Sequence, residues 1–385
     1  MAAERLAAYG ERWRGRAQLA VISRPNPDGY TLRQRANSRG IDLNRDHLLL
    51  RAGETRVIHQ FLRQWTPEVV IDVHNYPSRR KLLLKRNLVR AADVCIDIPT
   101  HPALWTEWSG AARDELVRRI GRRIEPGGGF CDRYAVLTAN GGARSSTFRV
   151  ADARNGLTLR LGAFGVLIEG RAPVRSDSRG VRERLLVSLT EALLLSIEWA
   201  ADNIEAICRW RSVIRSRPAP VGWKSADTGT ICLHLFDEAA GEPREVAFLA
   251  CREQSEVRVS VPAPAAYAIP CSMQSVLELL DRHGLPGHAP AEGRVAAETA
   301  RITALRGSRV VSAELRNTLL DLSGYRIIRV TRVTSAFLAV LLEPQSRYAL
   351  HRVADFGIHL CQGEDYPIVR LPEVKTPPCG AGCLP

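Results

Sequence analysis

Residues 53–76 restrict the fold more than any other stretch. Gly53-Glu54-Thr55 opens a helical pattern that places Val57, Ile58, Phe61 and Leu62 at helical spacing, and Pro67 closes it after Trp65. The run Val69-Val70-Ile71-Asp72-Val73 follows at once and ends on His74. It is short, β-branched and almost wholly apolar, as expected for a strand covered on both faces. A second such run, Ala163 to Ile168, ends on Glu169 and leads into a long helical pattern over roughly Gly180–Trp210. Buried strands alternating with helices predict an α/β fold in which helices flank a mixed sheet with parallel elements.

Further patterns fill in the frame. Residues 2–13 are predicted helical, Gln18–Ser23 a short apolar strand, and Trp105–Ile124 a long helix. Ser216-Arg217-Pro218-Ala219-Pro220 is the expected domain boundary. Beyond it, 231–236, 246–249 and 257–261 read as strands, and Ser275–His283 and Ala336–Leu342 as short helices. The expected organisation is a domain over 1–215, followed by a smaller β-rich α+β domain over 221–385 in which no catalytic set is evident. His283 and His288 fall in a Gly/Pro-rich stretch and read as solvated.

Composition excludes several classes. The formal charge is +13, yet lysine occurs only at Lys81, Lys85, Lys224 and Lys375. The arginines are scattered without interleaved aromatics, so nucleic-acid binding is not expected. No stretch is apolar for long enough to span a membrane, and Met1–Gly15 has no signal-peptide core. The chain as written reads as cytoplasmic, and as exported only if an upstream segment exists. Its nine cysteines are an odd, dispersed set with one close pair, Cys379 and Cys383. They do not read as a disulfide framework.

Three segments carry chemistry. Asn26-Pro27-Asp28-Gly29-Tyr30 precedes Arg35-Ala36-Asn37-Ser38-Arg39-Gly40-Ile41-Asp42-Leu43-Asn44-Arg45. Asp72-Val73-His74-Asn75-Tyr76 and Leu167-Ile168-Glu169-Gly170-Arg171 follow. In content and order these resemble the carboxypeptidase A-like family of zinc metallopeptidases, over about residues 15–210. The remainder resembles a C-terminal extension of some bacterial members.

The resemblance implies a carboxypeptidase-like α/β/α fold and hydrolysis of peptide bonds next to a free C-terminal carboxylate. Asn44 and Arg45 match the residues that hold that carboxylate. Arg35 matches the arginine that polarises the scissile carbonyl, and Tyr76 a substrate-side tyrosine. His74 matches the last Zn2+ ligand and Glu169 the general base. The implied partner is a peptide or cell-wall peptide, with no preference as to oligomeric state. The family's other two zinc ligands come from a His-x-x-Glu motif upstream of the NPDG turn. Upstream of Pro25 there is no histidine, and the only glutamates are Glu4 and Glu11. The expectation is a chain that starts after the motif, binds zinc weakly and hydrolyses peptides poorly; non-catalytic binding of peptide C-termini is the alternative. Tyr134 is the tyrosine nearest the region before Glu169, but its match to the family's mobile tyrosine is not close enough to assign. Arg144, Arg149 and Arg154 suggest a preference for an acidic terminal side chain.

Overall fold

The computed structural model describes residue 13 and residues 15–138, 143–144, 148–226, 229–248, 254–290 and 293–373. Four strands form the central mixed sheet: β1 (Val69–Tyr76), β2 (Val94–Asp97), β3 (Cys131–Arg133) and β4 (Phe164–Arg171). Their order is β1-β4-β2-β3. β1 and β4 run parallel over their full length, β2 and β3 run parallel, and β4 and β2 are antiparallel.

Helices α1 (Gly53–Trp65), α2 (Glu107–Ile124), α3 (Arg179–Asp202) and α4 (Ile204–Ser216) cover the sheet. Alternation along β1 sorts its side chains between the two layers. Val70 packs with Ile58 and Leu62 of α1, whereas Ile71 packs with Leu193 and Leu194 of α3. Asp72 and His74 therefore share the face of Val70, away from α3. The continuous helix expected over 180–210 is two helices: Asn203 ends α3 and precedes α4.

Two other expectations come out differently. Residues 18–23 form no strand among the described residues, and Leu19, Val21 and Ile22 lie exposed. The helix expected over 2–13 falls outside the described residues except for Trp13, which is helical and buried. Cys379 and Cys383 lie outside them altogether.

The remaining strands are antiparallel. The hairpin of Ile231–Asp237 with Glu242–Phe248 takes Leu88–Arg90 as a third strand. Ala219–Ala226 pairs with Gln254–Val261. A five-stranded sheet runs in the order 309–321, 294–306, 369–371, 266–270, 325–329. The largest core cluster joins Ile96, Phe164 and Trp199 of the first half to Ile269, Leu280 and Phe337 of the second.

Histidines line this junction. His47 Nδ1 lies 3.1 Å from His59 Nε2, and the His59 and His283 rings meet edge to face at 5.3 Å. His283 is fully buried, with Nε2 2.9 Å from the Leu48 carbonyl, so the solvated-loop expectation does not hold for it. The helix Gln274–Arg282 carries it inward, and the Arg160 guanidinium donates to its carbonyl at 2.6 and 3.1 Å.

Candidate functional site

Local polar contacts shape the loop that leads into the site. Asn26 caps the short helix Pro27–Leu32, its Oδ1 accepting from the Gly29 amide at 2.9 Å. A Cβ at residue 29 would meet Asn26 Nδ2 at 2.3 Å and the Gln34 carbonyl at 2.7 Å, so this turn requires glycine. Asp28 then accepts from the Ser38 amide at 3.2 Å and from its hydroxyl. The buried Asn37 organises the next loop, accepting from the Arg39 and Ile41 amides at 3.0 Å each and donating to Glu54 of α1. Asp42 caps the single turn Leu43–Arg45, accepting from the Asn44 amide at 3.1 Å.

This turn presents Asn44 to β1. Asn44 Oδ1 accepts from the Ala153 amide at 2.9 Å, which leaves Nδ2 facing His74 Nε2 at 2.8 Å. Asp72 Oδ2 lies 3.0 Å from the same nitrogen. The neutral ring can accept from Asn44, and the protonated ring donates to Asp72. Burial works against the charged form of His74. The hydrogen bond and charge of Asp72, with the charge of Glu169, outweigh it and raise the pKa.

Glu169 is the direct ladder neighbour of His74 on the parallel strand β4, with strands about 4.8 Å apart. Both lie near the carboxyl ends of their strands, where open α/β sheets bind ligands. Burial raises the Glu169 pKa against the opposing pull of His74 and the nearby Arg154 and Arg35. Its Oε2 is buried without a hydrogen-bond partner among the described residues. Such an oxygen is costly unless something occupies it.

The other expected residues divide. Arg35 is exposed, donates from Nε to Asp42 at 2.7 Å, and acts electrostatically on both His74 and Glu169. Arg45 is exposed, with Nη1 on the Asn44 carbonyl at 2.5 Å. Tyr76 is buried, with its hydroxyl donating to the Ala92 carbonyl rather than facing solvent. Arg154 forms a buried ion pair with Asp97, so its charge is already matched.

Two residues to which the sequence assigns no role, Asp72 and Tyr134, stand beside the site. Asp72 was detectable, since it stands two residues before His74 and strand alternation puts both on one face. Tyr134 is drawn in by β3: burial chiefly, and Glu169 next, raise its pKa. No local pattern signals that.

Among the described residues, no three His, Cys, Asp or Glu side chains are placed to hold a metal ion. No helix among them is long and apolar enough to cross a membrane. No family model and no solved structure matches the chain. It is similar to "Carboxypeptidase 2" of Trichophyton rubrum, 23% identical over 94% of this chain and 71% of that protein. It is also similar to "Carboxypeptidase 2" of Trichophyton tonsurans, 21% identical over the same shares. "Probable carboxypeptidase 2" of Arthroderma benhamiae is 25% identical over 52% of this chain and 39% of that protein.

Proposed function

We propose that the chain carries a carboxypeptidase-type site that binds peptides by their free C-terminal carboxylate and cleaves the terminal bond. The register of His74 with Glu169 on one sheet face, with Asn44 bonded to His74 and the Arg35 charge acting on both, is the observation that carries the reading. Relatives named as carboxypeptidases over most of the chain support it. The four-stranded sheet between helical layers is read as carboxypeptidase-like on the same grounds.

Each side chain has a chemical task. Glu169, once ionised, takes a proton from water and returns it to the leaving amine; its raised pKa makes it a stronger base than an exposed glutamate. The Arg35 guanidinium faces developing negative charge on the scissile oxygen. Arg45 offers a planar fork for the terminal carboxylate, with Asn44 as a second donor.

Zinc is the cofactor implied at His74, and a catalytic zinc takes three protein ligands. His74 and Asp72, with Glu169 reserved as base, fall short of that set. Turnover by these side chains alone is therefore slow. The same shortfall favours a second reading, in which the site binds peptide or cell-wall-peptide C-termini without cleaving them.

One blocked dipeptide, prepared as free acid and as amide, tests both. The free acid is expected to bind roughly tenfold tighter or more, as charge-assisted hydrogen bonds of about 1.5–3 kcal/mol require, and Arg45→Ala to abolish the difference. Equal binding of acid and amide sinks the carboxylate clamp. Release of the terminal amino acid separates the first reading from the second.

A further inference from the structure

A cavity of about 410 Å³ opens between the segment after β1 and the segment after β3. We propose that it is a second recognition pocket, which takes an acidic side chain of the bound peptide. This rests on the peptide reading above. The volume lies within the range of small-ligand sites, roughly 300–1,000 Å³.

Four cations line it: Arg79, Arg80, Lys81 and Arg90. Their charges are not equally spoken for. Arg79 is held by Glu238 at 2.7 and 3.2 Å. Arg80 and Lys81 are exposed and meet no carboxylate among the described residues. Arg90 is the built part of the pocket. Its side chain is 6% exposed, donating to the Ala135 carbonyl at 3.2 Å and to Cys95 Sγ at 3.1 Å. Asp132 stands 3.5 Å away, but it also accepts from His234 Nδ1 at 2.6 Å. The Arg90 Nε–H is left buried with no partner. That donor is closed to solvent, so Arg90 adds positive charge to the lining, and the exposed Arg80 and Lys81 are the donors open to an entering carboxylate.

The walls suit a short acidic side chain. The Tyr76 ring lies under the Arg90 guanidinium at 5.5 Å, and its hydroxyl is committed to Ala92, so it offers an apolar face. Tyr134 lines the same cavity and is coupled to Glu169. Cys95, also in the lining, is the ladder partner of Glu169 across β2 and β4. Through Cys95 and Tyr134 the cavity adjoins the candidate base, within reach of a peptide bound there.

Calorimetry on the full chain tests this with N-acetylated tripeptides carrying glutamate or glutamine at each position in turn, each as free acid and as amide. At one position glutamate is expected to bind about tenfold tighter than glutamine, in both terminal forms. The Arg80→Gln/Lys81→Gln variant, both changes on exposed side chains, is expected to erase that difference and keep the acid–amide contrast of the terminal clamp. Equal glutamate and glutamine binding at every position overturns the pocket, as does a glutamate preference that survives the double variant. Binding of free glutarate but of no peptide overturns the peptide source. An acid–amide contrast lost while the glutamate preference stays means that the terminal clamp has failed, not the pocket.

Discussion

Histidine occupies two buried regions of this molecule with opposite surroundings. At the carboxyl ends of β1 and β4, His74 shares its space with Asp72 and Glu169, and its pKa is raised. At the junction of the two halves, His47, His59 and His283 are packed among one another with Arg63 and Arg160 nearby. Burial lowers all three, His47 to about 4 and His283 to about 3. Burial acts the same way in both places. What differs is a carboxylate within hydrogen-bond reach, which lets a partly buried ring carry charge. The junction rings lack one and serve as neutral packing that joins the halves.

The strongest way to break the comparison is to remove the proposed base from the first region. Glu169→Gln keeps shape and removes the proton acceptor. Hydrolysis of a blocked dipeptide is expected to fall by about 100-fold or more, in line with general-base contributions of roughly 10²–10⁴. Because the pKa of Glu169 is raised, the ionised form accumulates only above the usual glutamate range, so the native rate should climb with pH through that shifted value. A rate unchanged in Glu169→Gln removes this residue from the mechanism.

Acid should break the junction next. The native rings stay neutral down to about pH 4 for His47 and about pH 3 for His283, while unfolded histidines protonate near 6.5. Between those values the unfolded chain binds more protons, so stability falls as pH falls from 6.5 towards 4. The His47 shift alone corresponds to at most about 3 kcal/mol. Urea unfolding at pH 7 and pH 4.5 measures it, and His59→Leu should flatten the dependence. A pH-independent midpoint would mean that the junction rings are solvated.

The contrast between the regions also marks what could be read from the chain. Strands β1 and β4 were legible because their apolar runs are bounded by Pro67 and Gly162 and end on polar residues. The loop from Arg35 to Arg45 is legible as a motif because its turns are set locally: Asn37 accepts from the Arg39 and Ile41 amides and Asp42 from the Asn44 amide, whereas the reach of Asn37 to Glu54 and of Asn44 to His74 and Ala153 is tertiary. The junction was not. His283 sits in a Gly/Pro-rich stretch that locally reads as solvent-facing, and only the packing of the helix Gln274–Arg282 carries it to Leu48 and His59. The run 18–23 differs for a related reason: strand propensity describes a side-chain pattern, but a strand needs a neighbour to accept its backbone.

A smaller effect tests how the loop is tied to the sheet. Asn44 bridges His74 and the Ala153 amide. Asn44→Ala leaves the amide without its acceptor and is expected to cost roughly 1–2 kcal/mol in urea unfolding. Peptide binding should weaken with it, since the same residue orients His74. Loss of binding with full stability would place Asn44 on the ligand rather than in the scaffold.

The smallest expected effect on folding belongs to Arg35. Its pair with Asp42 is short but solvent-facing, with 59% of the arginine side chain exposed. Exposed pairs contribute about 0–1 kcal/mol, so Arg35→Gln should leave the unfolding midpoint nearly unchanged. Its charge nevertheless reaches His74 and Glu169. In both cases it favours the deprotonated form, lowering the pKa of each. Arg35→Gln should therefore move the pH–rate profile upward while the unfolding curve stays where it is. A shifted unfolding midpoint with an unmoved profile would make Arg35 part of the loop scaffold, and the first region would then keep only Asp72, His74 and Glu169 as its electrostatic unit.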